Sequence, residues 1–110
     1  MKTKSAVLLS TLFALAGCAT SASGLLARAP IGTFTSKSSA EHVAACIALD
    51  LNGDAPYVRD GDGHFVITRK NGYGRPVVRV DVLAAGDGSR TEVRRSIPIN
   101  TGIDKIKKCM

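Results

Sequence analysis

His64-Phe65-Val66-Ile67-Thr68-Arg69-Lys70, then the turn Asn71-Gly72-Tyr73-Gly74, then Val77-Val78-Arg79-Val80-Asp81-Val82-Leu83: two alternating runs meet at a turn. In the first run Phe65 and Ile67 fall on one face, and His64, Val66 and Thr68 on the other. In the second, Val78, Val80 and Val82 oppose Arg79 and Asp81. A period of two is the pattern of strands with unlike faces, and Asn-Gly between two such runs is a strong hairpin signal. The apolar faces predict an antiparallel sheet with one side on a core and the other in water.

Downstream, Gly86-Asp87-Gly88-Ser89 predicts a second turn and Arg90 to Ile97 a third strand. Thr91, Val93, Arg95 and Ile97 alternate there with Arg90, Glu92, Arg94 and Ser96, and Pro98 ends the run. Thr101-Gly102-Ile103-Asp104 has the form of a helix cap. Ile99, Ile103 and Ile106 continue as an apolar ridge, with Cys109 in the last turn and Lys105, Lys107 and Lys108 where a helix C-terminus favours cations. Upstream, Tyr57-Val58-Arg59 is a short strand candidate, and Thr33-Phe34-Thr35 begins an edge strand. Between them, Ser38 and Glu41 are spaced as a capping box. Ala40, Val43, Ala44, Ile47 and Leu51 form one helical stripe, Cys46 sits at its edge, and Asn52-Gly53 ends it. The expected order is therefore helix, three or four antiparallel strands, and a short C-terminal helix. Both helices cover one sheet face in a two-layer α+β domain spanning 33–110.

The first 17 residues are of another kind. Lys2 and Lys4 precede Ala6 to Ala16, an uncharged run too short to span a bilayer comfortably, which takes about 20 apolar residues. A basic n-region before a short apolar h-region is the layout of a secretory signal. Leu15-Ala16-Gly17-Cys18, which closes it, resembles the lipobox of bacterial lipoproteins. The resemblance implies cleavage between Gly17 and Cys18, a diacylglycerol on the Cys18 sulfur, and acylation of the new N-terminus. Two or three chains make such an anchor stable where one would hold only marginally. Ala19 stands where an Asp often retains lipoproteins in the inner membrane, so the resemblance implies an outer-membrane anchor, facing the periplasm. Residues 18–32 are rich in small side chains and read as a lipidated, flexible tether. Its reach is roughly 45–50 Å when extended.

Removing 1–17 leaves 13 basic residues against nine acidic, a net charge of about +4. It also leaves one small domain, of a size that is marginal without a staple. Three cysteines in an exported chain are one too many for pairing. Lipidation of Cys18 resolves the count, and an oxidising compartment then predicts a Cys46–Cys109 disulfide. A metal site built from these cysteines with His42 or His64 is the weaker reading, since no close cysteine pair supplies the usual ligand spacing. The mature part also resembles, loosely, small uncharacterised proteobacterial lipoproteins that pair a cysteine in the first helix with one near the C-terminus. That resemblance implies no activity.

Other motifs reduce to turns. Asp50, Asn52, Asp54, Asp60 and Asp62 crowd a Gly-rich stretch, but an EF-hand register from Asp50 puts Ala55 at the glycine position and Gly61 at the bidentate glutamate. Gly72-Tyr73-Gly74 lacks the third glycine and the strand–helix context of a dinucleotide site. His42 and His64 are possible acid–base groups, yet no Ser or Cys nucleophile has a motif context. The chain is therefore read as non-enzymatic, without cofactor or metal.

Arg79, Arg90 and Arg94 can share the solvent face of neighbouring strands, as a candidate surface for anionic lipid, lipopolysaccharide or an acidic envelope protein. The plainer expectation is a solvated face on which Asp81 and Glu92 interleave as cross-strand partners. Nucleic acid is excluded by the compartment and by an aromatic content of 5%. The expected function is a lipid-anchored accessory or binding module of the envelope. A direct binder of anionic lipid or lipopolysaccharide, and a prophage-type exclusion lipoprotein, remain as alternatives.

Overall fold

The computed structural model describes residues 24–52 and 57–110. Five strands form one antiparallel sheet: β1 (Gly32–Ser36), β2 (Val58–Arg59), β3 (His64–Lys70), β4 (Pro76–Ala85) and β5 (Gly88–Arg95). Their spatial order is β1-β5-β4-β3-β2. Helix α1 (Ala40–Asn52) follows β1, and α2 (Ile103–Lys108) closes the chain. The α+β arrangement is the expected one. The strand count is five because the short edge segments at 32–36 and 58–59 both pair with the central meander.

Register follows the hydrophobic alternation. Ile67 lies opposite Val80 and Phe65 opposite Val82, while Val80 faces Val93 and Val82 faces Thr91. All of these but Thr91 meet Val43, Ala44, Ile47 and Ala48 of α1 and Ile106 of α2 in a single apolar cluster. Both helices thus cover one sheet face. The Cys46–Cys109 disulfide joins α1 to the end of α2 across a Cα–Cα distance of 5.7 Å.

The helix starts differ from expectation. Ser39 rather than Ser38 caps α1: its Oγ accepts from His42 N at 3.2 Å, and its carbonyl accepts from Val43 N. Ser38 is held outside the helix, donating its N–H to Ser36 Oγ, whose hydroxyl donates to the Met110 carbonyl. At α2 the cap position falls to Gly102, with φ 78° and no side-chain cap. Its N–H donates instead to Asn100 Oδ1. The left-handed backbone favours glycine there, and a Cβ at Gly102 would stand 2.6 Å from Leu51 Cδ2, which would have to shift.

The second sheet face is not wet along β4. Residues 77–82 are all buried, odd and even alike, which is the burial of a strand covered on both sides. Part of the cover comes from the segment expected as tether. Gly24–Ala27 form a 3-10 turn against β5, Leu25 is fully buried outside the main core cluster, and Arg94 Nε donates to the Arg28 carbonyl at 2.9 Å. The packed domain therefore begins by residue 24. Leu25→Ala should remove about 2–5 kcal/mol, the range for a buried leucine whose cavity does not collapse. Urea unfolding should show a lower midpoint at unchanged slope, and an unchanged midpoint would mean that the turn contributes nothing to the fold.

Candidate functional site

The alternation along β4 and β5 sets Arg79 opposite Arg94, Asp81 opposite Glu92 and Leu83 opposite Arg90. Thr68 lies across from Arg79 on β3 and Val66 across from Asp81. The three arginines singled out from sequence do share a face. They do not form an open basic surface.

Asp81 is the centre of an ion network and is only 2% exposed. Arg79, two residues away on the same strand and 5% exposed, grips it with Nε at 3.0 Å and Nη2 at 2.9 Å. This is the two-pronged geometry in which guanidinium and carboxylate match best. His64 Nε2 approaches the same carboxylate at 2.8 Å, and His64 Nδ1 faces Asp60 at 3.8 Å. Arg94 Nη1 stands 3.6 Å from Asp81 and 3.0 Å from Glu92, a charge pairing rather than an aligned hydrogen bond. Half-exposed Arg90 ends the chain of charges on Glu92 at 3.2 Å. Burial alone would raise the Asp81 carboxyl. Hydrogen bonds and positive charge from Arg79 and His64 outweigh it and hold the group below its ordinary 3.8. The interleaving of Asp81 and Glu92 anticipated from sequence is thus present, with Asp81 buried and Glu92 partly buried rather than solvated, next to the strand on which the turn at 24–27 packs.

The remaining candidates scatter. His42 is exposed on α1. Asp50 Oδ2 lies 3.9 Å from Cys46 Sγ and 3.5 Å from Cys109 Sγ, and these three groups are the one metal-capable cluster among the described residues. Both sulfurs are bonded to each other. Asp60 and Asp62 occupy the approach to β3, where Asp60 N bonds the His64 carbonyl in a turn. Gly17 and Cys18, the expected cleavage and lipidation positions, lie outside the described residues, as does Asp54.

Pattern reading missed how charge is distributed along the sheet. In this register the start of β1, the end of β3, the start of β4 and the end of β5 lie together at one end. The segments emerging there, 24–32, 69–76 and 94–98, hold Arg28, Arg69, Lys70, Arg75, Arg94 and Arg95 and no carboxylate of their own, and Asp50 at the end of α1 shares a pocket with Arg69. The opposite end carries Asp60, Asp62 and Asp87 in its turns. Lys70 and Arg75 flanking the Asn71 turn were the visible signal. Their convergence with Arg28 and Arg95 depends on register and on where the chain before β1 docks. No helix of the described residues is long and apolar enough to cross a membrane. No protein-family model matches the chain, and it is matched neither by a curated protein nor by a solved structure.

Proposed function

We propose that the protein is a bacterial lipoprotein, anchored through lipid on Cys18. Its α+β domain serves the envelope as a non-enzymatic accessory module. The observation that carries the reading is Leu15-Ala16-Gly17-Cys18 directly after a basic and then an apolar segment. The Cys46–Cys109 disulfide supports it, since such bonds persist in oxidising compartments. Of the two alternatives, direct binding of anionic lipid or lipopolysaccharide through Arg79, Arg90 and Arg94 is weakened. Asp81 and Glu92 already engage these side chains.

Cys18→Ser should abolish incorporation of a labelled fatty acid and leave an uncleaved or soluble precursor. Metabolic labelling followed by membrane fractionation measures both, and equal label on the wild type and the variant would end the proposal. The accessory role is tested by crosslinking in native membranes, where a specific envelope protein should be recovered with wild type and lost with Cys18→Ser.

A further inference from the structure

We infer that the cationic sheet end is a docking surface for an anionic lipid bilayer, so that the domain lies on the membrane with a fixed orientation. The inference rests on the lipid-anchor reading and names the surface that the anchor would bring to the bilayer. Chain length supplies the first argument. Packing begins by Gly24, six positions after Cys18, and six residues span about 20 Å at full extension. Residues 24–31 lead directly into β1 at the cationic end, where Ile31 N bonds the Val93 carbonyl. A connection that short keeps this end close to the lipid headgroups.

Charge and shape supply the second. Arg28, Lys70 and Arg75 are exposed there. Arg69 donates to the Asn100 carbonyl and Arg95 to the Ile99 carbonyl, bonds that hold the guanidinium groups without neutralising them. Arg94, which pairs with Glu92, takes no part. Among these cations stand exposed apolar groups. Tyr73 is 92% exposed at the tip of the β3–β4 turn. Ile31 and Ile97 share a groove with Arg28, Arg95 and Pro98. The tip is rigid for a turn: Asn71 Oδ1 accepts from the N–H groups of both Tyr73 and Arg75, presenting the ring outward. A tyrosine amid cations suits the bilayer interface, where the ring reaches the acyl boundary and the charges meet phosphates. The carboxylates at the far end would be repelled by the same surface, which reinforces one orientation.

Because the chain contains no tryptophan, Tyr73→Trp places a single indole at the tip. The full chain, purified from membranes, is reconstituted into vesicles of phosphatidylcholine alone or of phosphatidylcholine with phosphatidylglycerol. Flotation at high salt reads the anchor, and indole emission reads the docking. The expected result is flotation with both vesicles. Emission should be blue-shifted and quenched by brominated acyl chains only on the anionic ones, and the shift should be lost on adding Lys70→Glu and Arg75→Glu or on raising the salt. An indole introduced instead by Asp87→Trp, in the opposite turn, should show no shift. Flotation of the Tyr73→Trp variant with unchanged emission on both vesicles overturns the docking surface while the anchor stands, and would leave this end to a protein partner. Failure to float at high salt removes the anchor, and the docking inference with it.

Discussion

Replacing Cys46 and Cys109 together with alanine is expected to lower the stability of the domain by about 4 kcal/mol. The bond closes a loop with a sequence separation of 63, and in the chain-entropy model a cross-link of that span removes about this much from the unfolded ensemble. Domains of this size have only about 5–15 kcal/mol in all. The loss should be largest at the C-terminus, because α2 has six residues and is marginal as an isolated helix. Ile106 and the bond hold it to α1. Equilibrium unfolding in urea, with and without reductant, should show matching midpoints for the reduced wild type and the double variant, both well below the oxidised protein. Coincident curves for oxidised and reduced protein would refute the role assigned to the bond.

The second large effect belongs to Asp81. Asp81→Asn removes the carboxylate that buried Arg79 grips and leaves Arg94 paired with Glu92. Removing one member of a buried ion pair typically costs about 3–5 kcal/mol, because the partner's charge stays buried. Arg90→Gln, which breaks only a half-exposed pair with Glu92, should cost no more than about 1 kcal/mol. The contrast separates a buried network from a surface one. The pH dependence has a defined sign. Since the folded Asp81 carboxyl lies below its ordinary 3.8, the unfolded chain takes up the proton first. The contribution is full above that value and is lost as pH falls through the lower folded value. Denaturation midpoints measured from neutral to acid pH should fall in the wild type, and part of that fall should be missing in Asp81→Asn. Identical acid limbs would remove Asp81 from the network's energetics.

The sheet was legible because its core face obeys a strict alternation. Phe65, Ile67, Val78, Val80, Val82 and Val93 lie buried where a period of two puts them. Helix α1 was legible from its stripe, but its cap was one residue off, since Ser38 and Ser39 are equally good acceptors in sequence and only the bond to His42 distinguishes them. What alternation cannot reveal is a second cover. Arg79 and Asp81 alternate with valines like any solvated pair, and the turn at 24–27, which packs on the neighbouring β5, gave no periodic signal. Polar residues opposite an apolar stripe imply water only when nothing else folds over them. The cationic end was illegible for a similar reason: Arg28, Lys70, Arg75 and Arg95 are far apart in the chain, and register alone brings them to one side.

The intact mass of the chain extracted from membranes decides whether, as we propose, a disulfide-closed domain is held there by lipid on Cys18. The expected species is a polypeptide beginning at Cys18, heavier than its sequence by a diacylglycerol and an acyl group, and lighter by the hydrogens lost in joining Cys46 to Cys109. An unmodified chain that retains residues 1–17, or one with both thiols free, would contradict it.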